Sequence, residues 1–334
     1  MKFCTLATAT VALMLGTAQS HAQPMQDSTM AIPVYSLGFM LEMYAQDMQL
    51  YQKHGVNMKL NEIAGLGTIN ALIAGSVDFG QPSGVSLVRA ASKGQPLLAI
   101  VELTSRIVVQ VVIRKDVAEK AGFDPKAPLE KRVQVLKGHA IAVESVNSII
   151  DAYLGLLAKK GGFSHDDINV PVMQPPNMIA AFNAKQIDGY AMSLPWTQIP
   201  VVSGEAVMVA SGPDGDTIGL DPFTNTVVAT KPETCAKKPG LCEAVGATFV
   251  EAAAMMHAHP DEAEALLKKR FPQLDEKVFH AAFQTELKMT PTFPAPTAKG
   301  IENTDNYNVA AGLMKPEDKL PSYDKLFTDK YLKP

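Results

Sequence analysis

Two hydrophobic periods alternate along the chain. Met30 to Ser36 is a short apolar run, after which Leu41, Tyr44, Ala45, Met48 and Tyr51 recur at helical spacing until Gly55. Val56, Met58 and Leu60 then alternate with Asn57, Lys59 and Asn61, the period of a strand. A helix opening at Gly65–Thr68 and running to Gly75 leads to a strand at Val77–Phe79, a helix over Ser83–Lys93 and a further apolar strand over Pro96–Glu102. The same order returns downstream. Strands are expected at 140–144, 168–173, 190–192 and 206–210, with helices at 147–160, 177–186 and 195–203 between them. Thr226 to Thr230 reads as one more strand. Residues 232–290 read as mainly helical with breaks at Pro260 and Pro272, and the tail carries short helices near 297–312 and 322–331. Strand and helix in alternation predict an α/β fold with parallel sheet and crossover helices.

Part of the pattern is duplicated. Ala71-Leu72-Ile73-Ala74-Gly75-Ser76-Val77-Asp78 matches Ala181-Phe182-Asn183-Ala184-Lys185-Gln186-Ile187-Asp188 in the form A-[LF]-x-A-x-x-[VI]-D. Each copy is the end of a helix, a tight turn and the start of a strand, so two similar α/β lobes are expected.

The first 22 residues have another character. Lys2 gives a positive start, Leu6 to Leu15 is an apolar stretch too short to span a bilayer, and Ser20-His21-Ala22 places small residues at the positions a signal peptidase reads. Cleavage is expected before Gln23, giving an exported chain. Cys4 precedes the apolar stretch and cannot anchor a lipid. Its removal leaves Cys235 and Cys242, for which an oxidising compartment predicts a disulfide. Seven residues of unbroken helix would hold them about 10.5 Å apart. A disulfide needs Cα atoms within about 7 Å, so the helix must break between them, at Pro239-Gly240.

Composition is that of a globular protein, with 334 residues, 47% apolar and 19% charged. The net charge of −4 excludes the basic footprint of nucleic-acid binding. Enzyme motifs are missing: there is no G-x-S-x-G, Walker A, H-E-x-x-H or G-x-G-x-x-G, and Gly65-Leu66-Gly67 lacks the third glycine of the last. His257 and His259 fall on different helix faces and cannot both chelate. No zinc-type cysteine and histidine spacing occurs, and no cofactor or metal is expected.

What remains is a set of loops that follow strands: Ser36–Phe39, Gly65–Thr68, Gln81–Gly84, Ser145–Ser148 and Ser193–Trp196. Ligands of open α/β sheets bind beyond the carboxyl ends of the strands, and helix starts offer free N–H groups and a positive dipole end to an anion. The same residues also serve as plain helix caps. Five such loops in two lobes point to a shared cleft.

From Met30 to about Leu332 the chain resembles periplasmic solute-binding proteins of the nitrate/sulfonate/taurine group, also called SsuA/THI5-like. The resemblance is carried by Ala45–Val56 (AQDMQLYQKHGV), Ala71–Gly80 (ALIAGSVDFG), Ala90–Pro96 (AASKGQP), Val111–Asp116 (VVIRKD), Leu136–Glu144 (LKGHAIAVE) and Ala180–Gly189 (AAFNAKQIDG), with Ala229–Pro232 and Pro260–Ala263 (PDEA) behind them. It implies a two-lobed periplasmic binding protein of type II topology with two crossover hinge strands. Lobe 1 would comprise residues 23–104 plus 226–334, and lobe 2 residues 105–225. It further implies a monomer that binds a small solute between the lobes and delivers it to an ABC transporter permease with its ATPase. Where the group often has Glu-Pro after the strand of the second lobe, this chain has Leu194-Pro195-Trp196.

Carried over by position, the expected ligand contacts are Phe39, Met40, Gly67, Thr68, Ser83, Gly84, Arg106, Glu144, Ser145, Asn147, Ser148, Trp196 and Asn225. Arg106 would balance an oxyanion. Glu144 would pair with Arg106 or with a ligand amine, and Met40, Met43 and Met192 suit the core as well as a pocket. The expected ligand is a small organic oxyanion, a sulfonate or carboxylate. The alternatives are a nitrogen heterocycle such as a pyrimidine held by Glu144, or a sensory role beside a membrane receptor.

Overall fold

The computed structural model describes residues 25–63, 66–146 and 148–333. The expected signal peptide, residues 1–22 with Cys4, therefore lies outside the described residues. The first part of the chain forms β1 (Gln26–Ile32), α1 (Met40–Asp47), α2 (Leu50–Lys53), β2 (Val56–Glu62), α3 (Gly67–Ala74), β3 (Phe79–Gly80), α4 (Gly84–Ser92) and β4 (Leu98–Thr104). The second forms β5 (Gln110–Arg114), α5 (Lys115–Lys120), α6 (Leu129–Arg132), β6 (Ile141–Ala142), α7 (Ile149–Lys160), α8 (Pro175–Asn183), β7 (Gly189–Met192), α9 (Gln198–Val202) and β8 (Ala206–Ser211). The chain then returns through β9 (Thr226–Thr230) to a helical end: α10 (Pro232–Lys237), α11 (Pro239–Ala258), α12 (Pro260–Lys268), α13 (Glu276–Met289) and α14 (Ala298–Ala310).

These strands make two sheets, ordered β2-β1-β3-β9-β4 and β6-β7-β5-β8. β1 runs parallel to both β2 and β3, in register from Gln26↔Val56 to Ile32↔Glu62, and β6 runs parallel to β7. β9 is antiparallel to β3 and β4, and β5 to β7 and β8. The sheets are thus mixed rather than wholly parallel, because β9 and β5 each enter from the other lobe. Residues 169–172 lie beside β6 through bridges at Ala140↔Asn169 and Val143↔Val172. The second sheet therefore repeats the first position by position, and the duplicated octapeptide falls at the equivalent places α3–β3 and α8–β7. This is a two-lobed α/β protein.

The connections between the lobes run side by side. The backbone N–H groups of Phe223 and Asn225 donate to the carbonyls of Ser105 and Thr104, each at 3.0 Å. The first sheet is packed on one side by residues such as Met30, Phe79, Phe249 and Phe283, and on the other by Ala31, Leu72 and Leu87. Val111, Ile113, Leu157, Phe182 and Tyr190 fill the second lobe.

Three local outcomes matter. Periodicity did not mark β5 as a strand, because it is apolar on both faces and buried on both. The tail at 322–331 is not helical; it forms turns and one bridge, Ala99↔Phe327, that adds it to the edge of the first sheet. Cys235 and Cys242 are joined, with Cα atoms 5.6 Å apart. The helix does break between them, at Lys238, where Pro239 opens α11.

Candidate functional site

Strand ends of the first lobe and a helix start of the second face one another across a cavity of about 340 Å³. The loops after β1, β2 and β3 contribute Pro33, Leu66 and Gln81 to Ser83. Phe39, Thr68 and Ile69 join them, α4 adds Val85, Ser86 and Arg89, and the second lobe adds Ser148 and Ile149. Thr226 and Leu313 complete the wall.

Three helices, α3, α4 and α7, begin at this cavity, and the last two carry a side-chain cap. Ser83 has extended backbone and its hydroxyl accepts from the Ser86 N–H at 3.2 Å, opening α4. Ser148 does the same for the Asp151 N–H at 3.2 Å, opening α7. The caps fix the helix starts, and the positive ends of two helix dipoles then meet from opposite lobes.

Charge in the cavity is one-sided. Arg89 is the only charged lining residue among the described ones, and its side chain has no hydrogen bond or ion pair with any of them. It sits on the stripe Ser83, Ser86, Arg89. Helical side chains lean toward the N-terminus of their own helix, so a residue well inside α4 can still reach toward the cavity. Sequence reasoning missed Arg89 because it searched at strand ends. The available signal was the spacing of three from an N-cap that follows a strand.

The expected contacts divide. Phe39, Thr68, Ser83 and Ser148 line the cavity. Gly67 is the first residue of α3, where a Cβ would come within 2.7 Å of Ile63 Cγ2. Thr68 donates its hydroxyl to the Ile63 carbonyl at 2.7 Å. Gly84 is dictated by packing: a Cβ there would lie 2.0 Å from the Thr224 carbonyl oxygen. Met40, Met43 and Met192 are buried in the cores. Arg106 is not among the lining residues; its guanidinium donates to the Pro213 carbonyl at 2.9 Å and ties the two connections together. Glu144 is also outside the lining and is not paired with Arg106. Burial raises its carboxyl above the usual range. Ser145 is exposed, and Trp196 packs against the second-lobe core, its carbonyl accepting from the Tyr190 hydroxyl at 2.8 Å. Asn225 is buried and donates to Thr226 Oγ1 at 3.0 Å, while its Oδ1 has no partner among the described residues. Asn147 lies outside the described residues.

Beneath the cavity, Gln81 is buried and donates to Glu42 Oε2 at 2.9 Å, and the Tyr51 hydroxyl donates to the same oxygen at 2.6 Å. Burial pushes Glu42 up to about 7 against the pull of these two hydrogen bonds. Among the described residues no group of three metal-ligating side chains occurs, and no helix is long and apolar enough to cross a membrane.

Comparison with known proteins supplies the frame for this geometry. The sequence profile described as NMT1/THI5 like matches residues 37–263. The chain belongs to this family. Over 237 residues it is 27% identical to the Escherichia coli (strain K12) protein named "Putative aliphatic sulfonates-binding protein", covering 70% of this chain and 68% of that one. Over 249 residues it is 28% identical to a "Putative binding protein" of Brucella abortus, covering 73% and 70%. In three dimensions it is similar to the alkanesulfonate-binding protein SsuA of Xanthomonas axonopodis pv. citri bound to MOPS, with TM-score 0.66, 20% identity and coverage of 90% and 97%. The periplasmic nitrate-binding protein NrtA of Synechocystis PCC 6803 gives TM-score 0.67, 14% identity and coverage of 92% and 87%. The fold is thus that of the periplasmic binding proteins. The names of these proteins describe binding: of aliphatic sulfonates for the Escherichia coli relative and, for a Staphylococcus aureus protein of similar fold, as the ligand-binding component of an ABC-type import system.

Proposed function

We propose that the protein is the periplasmic substrate-binding component of an ABC importer and that it holds a small organic oxyanion, a sulfonate or carboxylate, in the cleft between its lobes. The carrying observation is the charge of that cleft. Arg89 is the only charged residue lining it among those described, and two capped helix starts converge on it. An oxyanion satisfies a guanidinium and helix N-termini together. Phe39, Leu66, Ile69, Val85 and Ile149 give the rest of the wall an apolar surface that suits an organic body. The names of the relatives, which include sulfonate and nitrate binders, support the same class. A cationic or neutral nitrogen heterocycle is less well served, since the carboxylate invoked for it, Glu144, does not line the cavity.

In this reading residues 23–104 plus 226–334 form one lobe and 105–225 the other. They hinge near 104–106 and 223–226 and hand the solute to a permease and its ATPase. Thermal unfolding against a panel of sulfonates, carboxylates, nitrate, amino acids and pyrimidines tests it. An oxyanion at one hundred times its dissociation constant should stabilise the protein by about 2.7 kcal/mol. Arg89→Gln should then weaken its binding by roughly 10- to 100-fold, the value of a hydrogen-bonded charge. Arg106→Ala should leave it nearly unchanged. Stabilisation by pyrimidines alone, undiminished in Arg89→Gln, would overturn the oxyanion assignment.

A further inference from the structure

Helix α14 is held by the first lobe and by the second connection between the lobes. Asn308 Nδ2 donates to the Val85 carbonyl in α4 at 3.3 Å, Thr304 Oγ1 to the Thr224 carbonyl at 2.9 Å, and Asn303 Nδ2 to the Pro222 carbonyl at 2.7 Å. Ile301 packs with Val88 of α4 in a cluster separate from the second lobe. The opposite face of the helix meets the second lobe: Asn306 and Ala310 border a pocket with Leu156 and Lys159 of α7, and Tyr307 goes deepest. Tyr307 is fully buried within the hydrophobic cluster of the second lobe, its ring edge-on to Phe223 at 5.4 Å between centroids. Its hydroxyl donates to the carbonyl of Ile149 at 2.5 Å.

Ile149 is the first residue of α7. It follows the cap Ser148, and both line the cavity. We infer that Tyr307 is an inter-lobe clamp and a positioning residue: it fixes the start of α7 against the first lobe and so sets how far the cleft stands open. The reasoning is geometric. A hydrogen bond is gone once donor and acceptor separate beyond about 3.5 Å, so a bond that crosses from one lobe to the other holds at only a narrow range of hinge angles. The donor state of the phenol is secure, because burial, with the Asp151 carboxylate adding to it, raises its pKa. The clamp therefore does not switch with pH. It does not touch the solute; it acts through the helix end that would. The inference rests on the two-lobed cleft proposed above as the binding site, but its first test needs no solute.

That test measures the distance between the lobes in the ligand-free protein by pulsed electron spin resonance. Spin labels on Lys59→Cys and Lys137→Cys occupy one lobe each and leave the native disulfide closed. Tyr307→Phe keeps the ring and removes only the hydroxyl. The expected result is a population shift to longer inter-lobe distances by about fivefold, the worth of one hydrogen bond. If Tyr307→Phe does not accumulate as folded protein, Asn308→Ala, which loosens α14 from α4 instead, must show the same opening. A distance distribution identical to that of the unsubstituted protein overturns the clamp. A second arm uses hexanesulfonate as probe, where the clamp predicts faster release with an unchanged on-rate. If hexanesulfonate does not bind the unsubstituted protein, that counts against the oxyanion reading and leaves the distance result standing.

Discussion

Replacing Glu286 by Gln should remove a large part of the stability that the protein loses as pH rises from 4.5 to 8. Glu286 lies in α13 with its carboxyl buried, and Oε1 has no hydrogen-bond partner among the described residues. Burial alone raises its pKa from 4.5 to about 8. The folded protein therefore keeps a proton that the unfolded chain releases. Stability is fully present below pH 4.5 and falls as pH rises toward 8, because the folded state binds more protons over that interval. Each pH unit is worth about 1.4 kcal/mol, so the interval sets a ceiling of about 5 kcal/mol. Glutamine preserves the shape and carries no titrating proton. The variant and the unsubstituted protein should match near pH 4, and the variant should be more stable by about 2–5 kcal/mol at pH 8. Glu42 and Glu102, raised by burial to about 7 and about 8, act in the same direction in both proteins. The informative quantity is thus the difference between the two urea-unfolding curves as pH is varied. A difference independent of pH would refute the reasoning.

Two further substitutions probe the frame around the cleft. Cys235→Ser with Cys242→Ser opens an eight-residue ring and should cost about 2.5 kcal/mol by the loop-entropy relation; urea unfolding with and without reductant checks it, and equal midpoints in the unsubstituted protein under both conditions would count against a stabilising crosslink. Gly84→Ala drives a Cβ to within 2.0 Å of a backbone oxygen of the crossover, where no flexible side chain can yield, so it should destabilise by about 3 kcal/mol or more, and a thermal midpoint equal to that of the unsubstituted protein would contradict the packing described.

The parts of the fold legible in the sequence were those with a one-sided environment. β2 shows its period because Asn57 and Lys59 are exposed while Val56, Met58 and Leu60 turn inward. β9 was visible as a strand, but its direction was not: Thr226 to Thr230 is buried throughout, so nothing local distinguishes parallel from antiparallel pairing. The direction is set by a crossover that begins in the other lobe. At the cleft, local chemistry was readable and long-range placement was not. Ser83 and Ser148 announce themselves as caps after strands. Arg106 had the right charge beside the right crossover, but the Pro213 carbonyl on the other connection takes up its guanidinium. Met40 was expected next to Phe39 in the cleft, yet the first turn of α1 faces the core. Arg89 was hidden inside a helix that otherwise reads as a packing element, with Val85, Leu87 and Val88 buried around it.

For the oxyanion proposed above, the division of labour in the cleft follows from magnitudes. Micromolar affinity requires about 8 kcal/mol. A charge-assisted hydrogen bond to Arg89 supplies about 1.5–3 kcal/mol, and each helix end supplies about 0.3–1 kcal/mol, up to roughly 2 when partly buried. Taken at about 3 kcal/mol for Arg89 and about 1 kcal/mol for each of the two capped helix ends, these polar contacts fall short by about 3 kcal/mol. At about 25 cal/mol per Å² the deficit corresponds to roughly 120 Å² of apolar ligand surface removed from water. Phe39, Leu66, Ile69, Val85 and Ile149 are placed to cover it, and Leu66, which is 62% exposed, has the most surface to bury when a ligand arrives. In the proposed reading the guanidinium and helix starts choose the sign of the charge, while the apolar wall sets the strength. A bare inorganic oxyanion would satisfy only the first requirement and should bind this cleft more weakly than an oxyanion with a hydrocarbon body.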